Sequence, residues 1–364
     1  MSDQPASQPV LFETLQTASG HRFGRATLNA PASLNSLSLE MVDLLNPQLA
    51  AWAADPHIAG VILDATGEKA FCAGGDVVDL VKAIRALPPG QVPPVASAFF
   101  KREYELDLLI HTYRKPFVCW GHGIVMGGGI GLMAGASHRV ATPKTRMAMP
   151  EINIGLYPDV GGSWLLSRLP GKSGAFLALT AASINAADAL FAGLADFLVP
   201  HEQHGALLQA IAGASWQGHA ETDSAQLSHL LERLGQGTPM PDSPLRTHLD
   251  RINTVIGHDR LQDIAPRLAA LAEDADPWLA LAGKTFLKGS PTSAALSLEL
   301  LRRARHMSLA EVFDLELKAS LGCCAHPDFA EGVRALLIDK DKTPRWQPAT
   351  LAEVTPEWIE EHLK

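Results

Sequence analysis

The segment Gly121-His122-Gly123-Ile124-Val125-Met126-Gly127-Gly128-Gly129-Ile130-Gly131 contains six glycines in eleven residues. It overlaps the end of an apolar run, from Phe117 to Val125, that predicts a buried strand. Glycines between a strand and a helix let the backbone approach a ligand and leave N–H groups unobstructed. The triplet Gly127–Gly129 is equally compatible with tight packing of a helix on a strand, so by itself it leaves both interpretations open.

Two further segments on either side of this one concentrate unusual residues: Ala70-Phe71-Cys72-Ala73-Gly74-Gly75-Asp76 and Met149-Pro150-Glu151-Ile152-Asn153-Ile154-Gly155-Leu156-Tyr157-Pro158-Asp159-Val160-Gly161-Gly162. The first follows a short apolar strand, Gly60 to Leu63. Two backbone N–H groups from separate loops that point at one carbonyl oxygen form an oxyanion hole. The chain has no Gly-x-x-x-x-Gly-Lys-Ser/Thr sequence, so a phosphate-binding P-loop is excluded.

Composition narrows the class of partner. The 364 residues are 47% hydrophobic and 19% charged, with a formal net charge of −9. We therefore expect no nucleic acid partner, because phosphate backbones require a basic face, whereas an anionic small molecule remains compatible. No apolar run is long enough for a membrane span, so no membrane partner is predicted. The first residues, Met1 to Pro5, lack the pattern of a signal peptide, and we expect a cytoplasmic protein.

The chain divides by pattern into an α/β core over residues 1–204, a looser connecting segment over 205–243 and a helical region over 244–364. The predicted elements include two strands between Val10 and Asn29, a helix capped by Ser38 that runs toward Ala54 with Pro47 as a kink or break, a short helix Leu227–Leu234, and C-terminal helices Pro266–Glu273, Thr292–Arg305 and Ser308–Leu321. Ser308 and Glu311 form the signature of a capping box.

The three ordered motifs resemble those of the crotonase superfamily, and more closely those of its 3-hydroxyisobutyryl-CoA hydrolase branch. The likeness resumes at His326–Phe329 and Lys340–Trp346. It implies an α/β fold, a crotonase-like spiral of ββα units followed by a C-terminal α-helical region. It also implies that the thioester carbonyl of an acyl-CoA lies between the backbone amides of Gly75 and Gly128, and that the loop from Ala73 to Asp76 binds the CoA part of the substrate.

The resemblance also limits which reactions of the family this chain is expected to catalyse. Hydratases of this family use two glutamates; the later one is present here as Glu151, but the earlier position is Gly131, which has no side chain. Thioester hydrolysis suits Glu151 with Asp159: Glu151 either attacks the carbonyl carbon or deprotonates a water. Asp159 either accepts a hydrogen bond from the substrate's 3-hydroxyl or positions the water. The residue patterns alone also allow Asp159 to cap the helix that starts near Gly162.

The branch suggests a third carboxylate, Glu103, in contact with the substrate; the alternative is a solvated helix residue paired with a Lys or Arg. We therefore predict hydrolysis of a short β-hydroxyacyl-CoA to the free acid and CoA, with valine breakdown as the suggested pathway. The alternatives are a hydratase or isomerase that uses one glutamate, and a non-catalytic acyl-CoA-binding homologue. No cofactor and no metal are predicted, since no cluster has metal-ligand spacing. The resemblance implies a trimer-based homo-oligomer.

Overall fold

The computed structural model describes residues 8–364. The strands are β1 (Val10–Gln16), β2 (Arg22–Leu28), β3 (Ile58–Ala65), β4 (Ala70–Cys72), β5 (Phe117–Gly121), β6 (Ile124–Met126), β7 (His138–Ala141), β8 (Arg146–Ala148), β9 (Ile184–Asn185) and β10 (Phe197–Leu198). Short 3-10 helices lie at Pro31–Ser33, Glu151–Ile154, His201–Gln203, Leu271–Glu273 and Leu351–Glu353, and a π-helical turn at Arg334–Ile338.

The α-helices are α1 (Leu39–Ala54), α2 (Val77–Arg85), α3 (Pro94–His111), α4 (Gly128–Ala134), α5 (Gly162–Leu166), α6 (Ser173–Thr180), α7 (Ala186–Ala192), α8 (His204–Gly213), α9 (Ala220–Gly235), α10 (Pro244–Thr247), α11 (Leu249–Val255), α12 (Leu261–Ala270), α13 (Pro277–Lys288), α14 (Pro291–Ala304), α15 (Leu309–Ala325), α16 (Pro327–Val333) and α17 (Pro356–Glu361). None of the helices within residues 8–364 combines the length and the apolar character that crossing a membrane requires.

The chain forms two compact units, each built from several separate segments. Of the described residues, the sheet unit contains 8–75, Glu105–Met147 and Asn185–Asp242. The helical unit contains Asp76–Tyr104, Ala148–Ile184 and Ser243–Lys364. The sequence-based division at residues 204 and 243 follows the chain in order, whereas these units interleave along it; that division stays a prediction.

The sheet unit is organised around a six-stranded sheet in the order β1-β2-β3-β5-β7-β10. The predicted strand pair at its edge is confirmed: β1 and β2 pair antiparallel, and the remaining neighbours are parallel. Adjacent residues of a strand face opposite sides of the sheet. Accordingly Phe23 packs on Trp216 on one side, while Gly24 leaves room for Trp52 of α1 on the other. Helix α1 starts after Ser38, whose hydroxyl accepts the Met41 N–H, and it continues past Pro47 without the predicted break.

The segment 205–243 is more regular than predicted. It contains α8 and α9, and α9 begins seven residues before the predicted Leu227 start, at Ala220. Leu207 and Ile211 of α8 and Leu227 and Leu231 of α9 are fully buried against the sheet. The polar composition that favoured a loose segment belongs to the outer faces of these helices and to their linkers, because each helix needs only one apolar stripe.

The order of strands and helices along the chain confirms the predicted fold class. In the pairs β3/β4 and β5/β6 the first strand lies in the six-stranded sheet and the second in a smaller sheet ordered β4-β6-β8-β9. Each pair is followed by a helix, α2 and α4 respectively. A repeated strand–strand–helix unit that adds one strand to each sheet produces the spiral of ββα units.

The helical unit confirms the predicted helical C-terminal region. Helix α14 lies within one residue of its prediction at both ends, and α15 starts with the predicted Ser308–Glu311 capping box. Helix α12 begins five residues earlier than predicted, because Pro266 lies inside it rather than at its start. Within this unit α14 and α16 pack on the 3-10 helix Glu151–Ile154, and the Ser290 N–H donates to the Ile152 carbonyl.

Candidate active site

The ends of β4 and β6 bring the two predicted oxyanion amides to the same edge of the smaller sheet. The strands are parallel, and Cys72 is the register partner of Val125. Gly75 and Gly128 each follow their register residue by three positions. The carboxyl ends of parallel strands are where open α/β sheets bind ligands. A Cβ built on Gly74 would lie 3.6 Å from the Met126 carbonyl oxygen, which confirms that the two segments run side by side.

Each of these amides is preceded by a glycine with a positive φ angle. Gly74 has φ +112°, and Gly127 has φ +47° with ψ −121°. A side chain at either position would be strained, so the glycines set the orientation of the next peptide plane. In the part of the chain that the structure describes, the N–H groups of Gly75 and Gly128 donate to no protein acceptor, which leaves both available to a carbonyl oxygen.

Gly129 is the glycine of the triplet whose size is dictated by packing. A Cβ at this position would lie 2.4 Å from the Cys72 carbonyl oxygen, so backbone would have to shift. We expect Gly129→Ala to lower the free energy of unfolding by roughly 1–3 kcal/mol, measured by urea denaturation. Gly205→Ala is the matched control, because a Cβ on Gly205 would meet nothing within 4 Å. Equal unfolding midpoints for the two variants would contradict the close approach.

Glu151 opens the 3-10 helix Glu151–Ile154 in the helical unit and is only 4% exposed. Its Oε2 atom is buried without a hydrogen-bond partner in the described residues. Burial raises the pKa of Glu151 well above its ordinary value, and the negative charge of Asp159 raises that pKa further. A desolvated carboxyl group with one unused oxygen is a stronger base and nucleophile than an exposed one. Glu151 is therefore not an exposed surface acid.

Asp159 lies in the same unit, close enough to Glu151 to affect its titration. The loop that joins them begins at Gly155, which ends the 3-10 helix with φ +71°. Tyr104 donates its hydroxyl proton to Asp159 Oδ2 at 2.7 Å. Burial raises the pKa of Asp159 to about 6, although the Tyr104 hydrogen bond acts in the opposite direction. Glu151 and Asp159 are thus two buried carboxyl groups joined by a loop, and burial together with the charge of Asp159 raises the pKa of Glu151. Their joint role in catalysis stays a prediction.

The alternative that Asp159 caps the following helix is wrong, because another carboxylate occupies that position. Glu316 of α15 accepts the N–H of Gly161 at 2.7 Å and of Ser163 at 2.8 Å. These amides lie at the start of α5, where backbone N–H groups lack partners within the helix. The Asp159 side chain instead accepts a hydrogen bond from Tyr104, and the Gly161 and Ser163 amides donate to Glu316.

The turn between Asp159 and α5 has an unusual backbone. Val160 has φ +55° and Gly161 has φ +78°. Left-handed backbone at a β-branched residue costs on the order of 1–3 kcal/mol and persists where the surroundings enforce it. The residue immediately after Asp159 is therefore held in a conformation that it would not adopt alone.

Sequence reasoning missed Tyr104, Glu316 and Ser320, which surround this turn and are all buried. Ser320 Oγ lies 2.7 Å from the Tyr104 hydroxyl oxygen and 2.8 Å from that of Tyr157. A signal for Glu316 existed: it falls at helical spacing among Val312 and Phe313, which are buried. A charged residue within an apolar stripe needs a buried partner.

Glu103 is also buried, at 2% exposure on α3. The interpretation of Glu103 as a solvated helix residue is therefore wrong, although its contact with substrate stays a prediction. The Ala73 N–H donates to the Leu34 carbonyl, which fixes the start of the loop, and Asp76 precedes α2. Roles for Ala73 and Asp76 in binding CoA likewise stay predictions.

Comparisons with known proteins identify the family of this chain. A family model described as enoyl-CoA hydratase/isomerase matches residues 23–363. A relative named "3-hydroxyisobutyryl-CoA hydrolase, mitochondrial" from Gallus gallus is 41% identical over 94% of this chain and 86% of its own length. The protein of the same name from Homo sapiens is 37% identical over the same shares of the two chains.

Solved structures extend the comparison to the three-dimensional fold. The crystal structure of a carnitinyl-CoA dehydratase from Mycobacterium thermoresistibile is 36% identical, with a TM-score of 0.86 over 98% of this chain and 97% of that one. An enoyl-CoA hydratase from Rhodobacter sphaeroides is 34% identical, with a TM-score of 0.79 over the same shares. The chain belongs to the enoyl-CoA hydratase/isomerase family, in the branch that contains the 3-hydroxyisobutyryl-CoA hydrolases.

Proposed function

We propose that this protein hydrolyses a short β-hydroxyacyl-CoA thioester, of the 3-hydroxyisobutyryl-CoA type, to the free acid and CoA. The observation that carries the proposal is the buried Glu151, with an unused carboxylate oxygen beside Asp159, in a chain whose position 131 is glycine. The names of the relatives support it, since proteins 37–41% identical over nearly the whole chain are 3-hydroxyisobutyryl-CoA hydrolases.

The reaction needs stabilisation of a negative oxygen and a group that acts on the carbonyl carbon. We assign the first task to the amides of Gly75 and Gly128; one such donor contributes about 3 kcal/mol to lowering a barrier. We assign the second to ionised Glu151. In one route its oxygen bonds to the carbonyl carbon, the C–S bond breaks with CoA thiolate as leaving group, and water then cleaves the resulting anhydride.

In the other route Glu151 takes a proton from a water whose oxygen attacks the same carbon, and the thiolate again leaves. In both routes Asp159 accepts a hydrogen bond from the substrate's 3-hydroxyl or orients the water, and Glu103, Ala73 and Asp76 contact the substrate. Both tasks need an ionised carboxylate, and burial, which raises the pKa of Glu151 and of Asp159, makes each ionised group a stronger proton acceptor.

A second candidate function is hydration of an enoyl-CoA, because the two solved relatives are described as a dehydratase and a hydratase. Hydration must add a hydroxyl and a proton to neighbouring carbons, and the family's hydratases divide this work between two glutamates. Glycine at position 131 offers no side chain for the second, so Glu151 alone would have to perform both steps. This argument favours the hydrolase.

The test gives purified protein 3-hydroxyisobutyryl-CoA and 3-hydroxypropionyl-CoA and follows release of free thiol, with hydration of crotonyl-CoA measured in parallel. We expect rapid thiol release and little hydration. Hydration without thiol release would establish the second candidate instead. Binding of both esters, seen as a raised melting temperature, with neither converted would indicate a non-catalytic acyl-CoA-binding protein.

Three finer statements belong to the same proposal. We assign the reaction to valine breakdown, because the named relatives act on 3-hydroxyisobutyryl-CoA. The cytoplasmic location stays a proposal, and the names of the relatives include the word mitochondrial. A trimer-based assembly is checked by light scattering during size-exclusion chromatography.

A further inference from the structure

One face of α15 supports the Asp159 turn at two points. Glu316 and Ser320 are one helical turn apart, both fully buried. Ser320 contacts the hydroxyl of Tyr104, which donates to Asp159. Glu316 accepts the N–H groups of Gly161 and Ser163 at the start of α5, one with each carboxylate oxygen. The Asp159 carboxylate and the backbone that carries it are therefore fixed from the same helix.

The two hydrogen bonds to Glu316 lie directly after Val160, whose backbone conformation is unfavourable for a valine. Val160, with φ +55°, lies between Asp159 and the first of these amides, and its side chain is only 5% exposed. Left-handed valine is unfavourable in isolation, so this turn relaxes unless other contacts hold it. A carboxylate has two acceptor oxygens and can accept the Gly161 and Ser163 N–H groups together.

We propose that Glu316 is a positioning residue for the reaction. By holding Gly161 and Ser163, it keeps Val160 left-handed and so fixes the direction in which Asp159 presents its carboxylate. The inference rests on the proposed function, because it assigns Glu316 an effect on catalysis that acts through Asp159.

The informative variant is Glu316→Gln, which preserves volume and removes one acceptor. The amide nitrogen of glutamine is a donor and cannot accept a hydrogen bond, so one of the two backbone N–H groups would lose its acceptor. We expect kcat for 3-hydroxyisobutyryl-CoA to fall between about 10- and 100-fold, because small misplacements of reacting groups cost this much. KM should change less than kcat, since Glu316 itself does not bind substrate.

Glu311→Gln is the matched control on the same helix. Glu311 accepts from Ser308 in the capping box at the solvent-exposed start of α15, so the same chemical change leaves the turn untouched. We expect this control to keep its kcat while losing some stability. An unchanged kcat in Glu316→Gln, or an equal loss in both variants, would overturn the inference.

Two double variants separate positioning from general support of the fold. Combined with Asp159→Asn, Glu316→Gln should add little further loss of kcat, because the group that it positions is already altered. Val160→Gly should restore part of the kcat of Glu316→Gln, because glycine adopts a left-handed backbone without strain. Full additivity with Asp159→Asn together with no rescue by Val160→Gly would show that Glu316 only stabilises the protein.

Hydrogen exchange of the peptide that contains residues 156–166 gives a readout without substrate. Glu316→Gln should speed exchange of the Gly161 and Ser163 amides relative to Glu311→Gln, whether or not the protein is a hydrolase. If the wild type does not hydrolyse the ester but Glu316→Gln still exchanges faster, the proposed function is refuted and the role of Glu316 in holding the turn stands. Unchanged exchange in Glu316→Gln would refute that role. If Glu316→Gln does not fold, Glu316→Asp, whose carboxylate cannot reach both amides, replaces it in every arm.

Discussion

Glu151→Gln is expected to lower kcat for 3-hydroxyisobutyryl-CoA by roughly 10²- to 10⁴-fold, the range typical of losing a positioned base. Glutamine fills the same buried space but neither attacks a carbonyl carbon nor accepts a proton from water. Because Glu151 Oε2 has no partner in the described part of the chain, the substitution breaks no hydrogen bond at that atom. Single-turnover thiol release measures the effect without interference from product release.

A lower kcat in Glu151→Gln shows a catalytic role only if the variant still binds the CoA ester. We expect the Kd of a non-hydrolysed CoA thioether to remain within about threefold of wild type, since only interactions specific to the transition state are lost. A similar loss of affinity would identify Glu151 as a structural or binding residue. Wild-type hydrolysis in heavy-oxygen water then tests the covalent route: label in Glu151 after one turnover indicates that an anhydride formed and that water attacked its Glu151 carbonyl carbon.

The backbone amides of this site could be predicted because they depend on residues that are adjacent in the sequence. Glycines at 74–75 and 127–129 occur directly after short apolar strands, and the positive φ angles at Gly74 and Gly127 explain why those residues must be glycine. The resemblance to a known family then gave the order of the motifs a three-dimensional meaning. Burial of Glu151 also agrees with its position between a proline and an apolar run.

The parts that sequence reasoning missed depend on contacts between distant positions. Glu316 binds amides 155 and 153 residues away, and nothing near Asp159 indicates that its turn is held by another helix. For the same reason the residues next to Asp159 favour the helix-capping interpretation, although Glu316 is the residue that caps α5. Helices α8 and α9 were underestimated because a polar average over residues 205–243 conceals two narrow apolar stripes.

Asp159→Asn is the second substitution for which we expect a large effect, and its effects on activity and on stability have opposite signs. Activity should fall about 10²-fold, because asparagine cannot serve as the ionised acceptor for the 3-hydroxyl or the water. The loss should be smaller for isobutyryl-CoA, which has no 3-hydroxyl group, if Asp159 binds that group. An equal loss for both esters would assign Asp159 to the water instead.

Stability should rise in the same variant at neutral pH. The pKa of Asp159 is raised by burial from 3.8 to about 6, so the folded state disfavours the ionised form. This penalty is absent below the unfolded pKa, grows as the pH rises, and is complete above about 6. Asparagine carries no charge at any pH and still offers an oxygen to Tyr104. We expect it to add roughly 1–3 kcal/mol to the free energy of unfolding at about pH 7.5.

The pH dependence of this gain distinguishes a desolvated catalytic carboxylate from an ordinary buried one. The difference in unfolding free energy between Asp159→Asn and wild type should shrink as the pH falls from about 7.5 to about 4.5, because wild-type Asp159 is then protonated in the folded protein. Asp188→Asn is the control: Asp188 is equally buried but accepts the Asn185 N–H in the capping box of α7, so its replacement should bring no gain. A loss of stability in Asp159→Asn at neutral pH would show that the carboxylate stabilises the fold. It would contradict the expectation that ionised Asp159 lowers stability and serves the reaction.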